Sequence, residues 1–223
     1  MRWSPVFPLS RKKSRQLRAL APVIVLAALT GACSSGAAPT TYDLSAPTAR
    51  IGGAGRQVLV NEPAALQALS AQQIIVKDVS GTITFLGDGQ WSDNLPRLVQ
   101  TRLINTFENA SQIRGVSRPS SGTVADAQLI SELRSFEVVT PNNEAYVEIA
   151  VKLVNDQTGR IMAGRIFRAS VPVAGVNAAG AARGLDDALS IVMLDIVRWV
   201  SGSHIPVRDA LPQTSQTAGQ SPA

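Results

Sequence analysis

Apolar residues return at every fourth position along one stretch of the chain: Trp91, Leu95, Val99, Leu103 and Phe107, with Leu98 and Ile104 widening the stripe. That period gives a helix one apolar face, so the spacing predicts a helix within Gly89 to Ile113, with Trp91 at its mouth. Ser92, Asp93 or Asn94 can cap its start, and Pro96 falls in the first turn, where a missing N–H costs no helical hydrogen bond. A second stripe, Ala181, Leu185, Ala188, Leu189, Val192, Ile196 and Trp199, predicts a helix from about Ala178 to Val200, with Asn177 as its cap.

Other stretches alternate with period two. Ala145, Val147, Ile149, Val151 and Leu153 are interleaved with Tyr146, Glu148 and Lys152, the pattern of a half-buried antiparallel strand. Asn155-Asp156-Gln157-Thr158-Gly159 supplies turn chemistry before Arg160 to Val173, which predicts a hairpin. Leu129 to Val139 reads as a preceding strand, although Ile130 beside Leu129 blurs its alternation. RQVLVNEP, QQIIVKD and Gly81 to Leu86 are shorter strand-like runs. The order strands, helix, strands, helix predicts a single α+β domain, a largely antiparallel sheet with two main helices packed on one face.

Composition then delimits that domain. The 223 residues are 45% apolar and 17% charged, which suits one globular domain with extra segments. At the front, Arg2, Arg11, Lys12, Lys13, Arg15 and Arg18 precede the apolar run Ala19 to Leu29 and then Thr30-Gly31-Ala32-Cys33. This is the three-part layout of a secretory signal. About eleven apolar residues fall short of the roughly 20 that span a bilayer, although an uncleaved membrane helix stays open. The sole cysteine, Cys33, directly follows two small residues. The segment resembles a bacterial lipoprotein signal, in which that cysteine becomes the lipidated first residue; Thr30 departs from the usual aliphatic residue, and a free thiol in an ordinary leader is the alternative. No disulfide can form within the chain.

The expected organisation is a signal peptide over 1–32, a lipidated start and flexible tether over 33–55, the folded domain over 56–202, and a disordered tail over 203–223. Charge changes meaning once the leader is removed. The chain has 21 bases and 16 acids, but six bases and no acids lie in residues 1–32, leaving the remainder near minus one. A nucleic-acid partner, which needs a basic face on the folded domain, is discarded on that ground.

The inventory of reactive groups is short. The only histidine, His204, lies near the tail, so no histidine triad or histidine-rich metal site can be assembled in the domain. Gly52-Gly53-Ala54-Gly55 lacks the Lys-Ser/Thr of a phosphate loop and reads as a hinge. Asp88 with Asp93, and Asp186 with Asp187, could form the carboxylate pair of a glycosidase, yet acids near a helix start follow from capping and the helix dipole alone. No Gly-x-Ser-x-Gly elbow occurs. The expectation is a protein without catalytic residues, metal or cofactor.

Trp91, Leu95-Pro96, Leu98, Val99-Gln100 and Phe107 resemble the helix of the ABC-type transport auxiliary lipoprotein family, which includes the paraquat-inducible protein C lipoproteins. Tyr42-Asp43-Leu44, the stretch from Ala125-Asp126 to Leu133 and Phe136, and the start at Cys33 extend the resemblance over about residues 33–200. It implies a periplasm-facing lipoprotein that accompanies an ATPase, a permease and a lipid-binding MCE subunit, in systems that move phospholipid or sterol-like molecules. Ser34 after the cysteine resembles an outer-membrane sorting signal, with the inner membrane as the alternative. Direct lipid binding and homo-oligomers remain open.

Trp91 has two readings: a staple between helix entry and sheet, or, with Leu95, the wall of a groove for lipid or a partner segment. Arg97 and Gln100, on the polar side of the helix, are candidate partner contacts, though such a face is ordinarily solvated. Two further functions stay open, another envelope assembly or secretion lipoprotein and an envelope hydrolase.

Overall fold

The computed structural model describes residues 38–52, 56–110 and 115–206. The expected signal peptide, Cys33 and the tail beyond Pro206 lie outside the described residues. In chain order the elements are β1 (Thr40–Tyr42), β2 (Gln57–Val60), β3 (Ala64–Ala65), β4 (Gln73–Lys77), β5 (Ile83–Trp91), α1 (Leu95–Ala110), β6 (Gly115–Ser117), β7 (Ala127–Val139), β8 (Glu144–Asn155), β9 (Ile161–Pro172) and α2 (Ala178–Gly202). The expected α+β class holds.

The long strand β7 is the spine of the sheet. Along one edge it pairs antiparallel with β8 for its whole length, and β8 pairs antiparallel with β9. Along the other edge it pairs in parallel with three short strands in succession: β2 at 127–129, β3 at 132–133 and β4 at 137–139. β2 continues to β6, and β4 continues to β5 and β1. The sheet is therefore mixed: its long ladders are antiparallel, and most of its short ones are parallel. Around Leu129 the alternation is in fact regular, with Leu129 buried and Ile130 exposed, and it changes phase only where the register with β8 shifts between Leu133 and Ser135. A bulge of this kind moves later side chains to the opposite face.

Both helices cover one face. Alternate residues of β8, Ala145 through Leu153, are at most 1% exposed and meet Leu185, Leu189, Val192, Met193 and Ile196 of α2 in a single core. Asn177 caps α2 as its sequence position predicts, accepting from the Gly180 N–H at 2.8 Å. Asp88 accepts a second N–H of the same helix start, from Ala178, at 3.1 Å. These two acceptors satisfy donors that have no partner within the helix.

Trp91 stands ahead of α1, as its place at the helix mouth predicts, and it does so as a strand residue. It is the last residue of β5, paired with Tyr42 of β1, and the helix begins only at Leu95. The Trp91 N–H donates to the Gln72 carbonyl, and the Ser92 N–H to the Tyr42 carbonyl, so strand pairing holds the backbone extended there. Its indole still reaches the core that Leu95, Val99 and Phe107 enter, which is why a step of four continued the helical stripe. Trp91 is 0% exposed and meets Phe136 edge-to-face at 5.6 Å.

Residues 38–52, expected as tether, form a strap across both helices. Leu44 is buried. The Ser45 N–H and hydroxyl both donate to Asp186 of α2, at 2.6 and 2.7 Å, and Asp43 pairs with Arg102 of α1. The Ile51 N–H donates to the Ala110 carbonyl at the end of α1. At the other end, Ile205 is buried beyond the last turn of α2.

Candidate functional site

The sequence candidates separate into two environments. Trp91 and Leu95 are 0% and 1% exposed and sit among core side chains, so they position α1 and present no surface. Arg97 and Gln100 lie one turn apart on the other side of α1 and share a polar cleft of about 560 Å³ with Glu62, Asp93, Thr101, Arg118 and Pro119. Four short segments build the cleft: the loop after β2, the turn between β5 and α1, the first half of α1, and the turn after β6.

Its floor is fixed by hydrogen bonds. Gln100 is buried, and its amide donates to the Val60 carbonyl at the end of β2, at 2.9 Å. The Arg118 guanidinium donates to the Gln100 side-chain oxygen at 3.2 Å and to the Thr101 hydroxyl at 2.7 Å. A buried amide without partners would cost about 1–3 kcal/mol; here both of its ends are engaged. Arg97 stands at the rim, its side chain 58% exposed, 3.6 Å from Asp93 one turn earlier. Two arginines and two carboxylates thus face one opening, a surface suited to a polar or charged segment of another protein. Sequence reasoning reached Arg97 and Gln100 through their helix face but missed Arg118 and Glu62, because nothing in the local pattern links Gln100 to a turn eighteen residues later.

The sheet face opposite the helices carries a second set of groups. Glu148 accepts from Arg168 at 2.7 Å and from the Tyr146 hydroxyl at 2.8 Å, and lies 3.7 Å from Arg134. The bond from Arg168 holds the Glu148 carboxyl below the usual glutamate range. Burial, followed by the neighbouring Glu148, pushes the Tyr146 phenol up. Next to this network lies a trough of about 590 Å³ where Ala64, Ala65, Leu66, Ile130 and Ala150 supply apolar walls and Lys152, Arg134 and Glu132 supply charge.

Three of the four carboxylates considered as catalytic pairs have structural partners, and Asp187 is exposed on α2. Asp88 receives the start of α2, Asp93 accepts from the Asn94 N–H and pairs with Arg97, and Asp186 holds Ser45. Among the described residues, no cluster of three or more histidine, cysteine or acidic side chains could hold a metal ion. No helix among them is long and apolar enough to cross a membrane.

Comparison with known proteins places this arrangement. An uncharacterized protein of Bradyrhizobium diazoefficiens is 31% identical over 174 residues, covering 74% of this chain and 47% of the relative. The chain therefore spans about half the length of the curated relative it matches. A crystal structure of a Xanthomonas campestris protein, assigned to the DUF330 family model, superposes with a TM-score of 0.68 at 22% identity, over 73% of this chain and 94% of that one. A second solved structure, of an uncharacterized protein, gives 0.59 at 15% identity over 73% and 99%. Both likenesses concern the fold. The model of the ABC-type transport auxiliary lipoprotein component matches residues 42–197, from Tyr42 in the strap through Val197 in α2, taking in the cleft and strands β2 to β9. The chain belongs to the ABC-type transport auxiliary lipoprotein family.

Proposed function

We propose that this protein is the non-catalytic auxiliary subunit of an ABC transporter of the MCE type, a system that moves phospholipid or sterol-like molecules through the cell envelope. Lipidated Cys33 anchors it to the outer membrane facing the periplasm, and the folded domain bridges or binds the permease, ATPase and MCE subunits' assembly. The observation that carries this reading is the family match over residues 42–197, with the strap bonds from Asp43 and Ser45 joining the anchored side of the chain to both helices.

The partner surface in this proposal is the polar cleft, with Arg97 at its rim and Gln100 in its floor. A cleft with alternating charges on a rigid base favours a specific partner through electrostatic complementarity more than through apolar burial.

The test is a detergent-solubilised pull-down of the native chain from its own membranes, with mass spectrometry of co-purifying proteins and lipids. Recovery of a permease, an ATPase and an MCE subunit is expected, with loss of membrane association in Cys33→Ala. Recovery of an outer-membrane channel or assembly machine without those subunits would overturn the proposal.

A further inference from the structure

Apolar side chains that face solvent gather at one hairpin. The turn between β4 and β5, residues 78–82, presents Val79 at 83% exposure, and the start of β5 adds Ile83 and Phe85 at 42% and 52%. The other three phenylalanines among the described residues are at most 4% exposed. Ile83 and Phe85 are two residues apart on one strand, so they share a face, and Val79 stands at the tip beyond them. The turn is held by its own bonds. The Asp78 carboxylate accepts from the Ser80 N–H at 2.8 Å, the Ser80 hydroxyl at 2.6 Å and the Thr82 N–H at 2.9 Å, and Gly81 takes the positive φ of 87°. Lys77, at the base of the hairpin, lies 3.6 Å from Glu137. The tip therefore offers apolar side chains and hydroxyls, and no charge without a partner.

The direction of β1 says what such a tip meets. β1 runs parallel to β5, with Thr40 opposite Gly89, so the chain enters β1 from the end of β5 that carries the hairpin. Cys33 is seven residues before Thr40, and Thr82 is seven before Gly89. Seven residues of chain span at most about 25 Å, and the same count along β5 spans about 23 Å. A lipid on Cys33 thus has enough chain to reach the level of the tip and little to pass it. A connection that short holds the domain close to its membrane with this end toward it. The polar cleft lies past the other end of β5, where Asp93 follows Trp91, so a membrane at the hairpin leaves the cleft free.

We propose that the β4–β5 hairpin is a second membrane contact, which places Val79, Ile83 and Phe85 in the interface of the same bilayer that holds the lipid on Cys33. The inference rests on the anchoring proposed above and adds an orientation to it. Insertion is shallow, because β5 from Ile83 to Asp88 has no partner on its outer edge among the described residues, and open backbone groups need water. With no unpaired cation at the tip, the contact follows apolar area and not the charge of the headgroups.

Quenching by spin-labelled lipid tests this on the full chain, purified from its own membranes and placed in vesicles of phosphatidylcholine and phosphatidylethanolamine. Val79→Cys carries a thiol-reactive fluorophore, and the parent chain, with Cys33 alone, sets the background. The comparison is Gln157→Cys, exposed in the turn after β8, at the end of the sheet away from the hairpin. Lipid with a nitroxide near its headgroup is expected to quench position 79 about threefold more than position 157, since only an interfacial contact brings label and quencher together. Adding Phe85→Ser to Val79→Cys removes the largest inserted side chain and is expected to cut that quenching about threefold. As a surface substitution it should leave the melting temperature within a few degrees. Quenching at 79 no stronger than at 157, or indifferent to Phe85→Ser, would overturn the proposal and leave the patch to a protein partner or a second copy. The intact mass of the same sample reads the anchor separately. A lipidated chain with an unquenched tip overturns the hairpin contact alone, whereas a chain without lipid overturns the anchor and the inference with it.

Discussion

Strand β8 presents Ala145, Val147, Ile149, Val151 and Leu153 to the helices, none more than 1% exposed, and Tyr146, Glu148, Ala150 and Lys152 to the opposite side. The first row is held by packing with α2 and the rest of the core, so its stability follows volume and area. The second is held by paired charges beside an open trough, so it responds to pH and salt. The difference teaches where to look for function: the helix-facing row has no spare surface, whereas the polar cleft and the outer sheet face carry groups that another molecule can reach.

The largest expected effect is on the packed side. Trp91→Ala removes the largest fully buried side chain and its contact with Phe136, and is expected to cost about 3–5 kcal/mol in chemical denaturation; a loss under about 1 kcal/mol would mean the indole is not a core element. Gly89 tests the same side from the backbone. A Cβ there would lie 2.5 Å from that of Ala178 and 2.6 Å from the Tyr42 ring. Gly89→Val is expected to destabilise by about 1–3 kcal/mol through overpacking, read as a lowered melting temperature.

Effects shrink toward the polar regions. Gln100→Ala strips the Val60 carbonyl and Arg118 of a partner, and a loss of about 1–2 kcal/mol is expected. Glu148 should contribute less, about 1 kcal/mol or below, because Arg168 is 56% exposed and solvent screens the pair. With its folded pKa depressed, this contribution is fully present above the ordinary glutamate value of 4.5 and is lost as pH falls through the lower folded value. Glu148→Gln should therefore flatten the acid limb of a stability profile below that pH. An unchanged limb would assign acid sensitivity to other carboxylates, of which Asp43 is one: burial raises its pKa, but bonds from Arg102 and the Leu44 N–H outweigh that and lower it.

How much of this was legible follows the same division. The α2 stripe and its Asn177 cap, and the β8–β9 hairpin, could be read because their periods are long and uninterrupted. Trp91 reads as part of the α1 stripe because a strand end, a short turn and a helix preserve a step of four, although it stands at the helix mouth and belongs to β5. The parallel pairing of β2, β3 and β4 along β7 left no mark, since each is too short for a period and their neighbour is distant in sequence. The cleft was half visible: a helix face points to Arg97 and Gln100, but only folding brings Arg118 and Glu62 beside them. The strap escaped because its apolar anchors, Leu44 with Tyr42 and Ile51, are too widely spaced to make a period, and its polar ties run to Arg102 and Asp186, far along the chain.

The central claim, an auxiliary subunit that meets its transporter through the cleft, is tested most directly by comparing two charge reversals in the same pull-down. Arg97→Glu alters the cleft rim and Lys152→Glu the trough, and both are exposed, so each should change stability by no more than about 0.5 kcal/mol. The account predicts that Arg97→Glu loses most of the permease and MCE subunit while Lys152→Glu retains them. Full recovery with Arg97→Glu, or loss with Lys152→Glu alone, would contradict it.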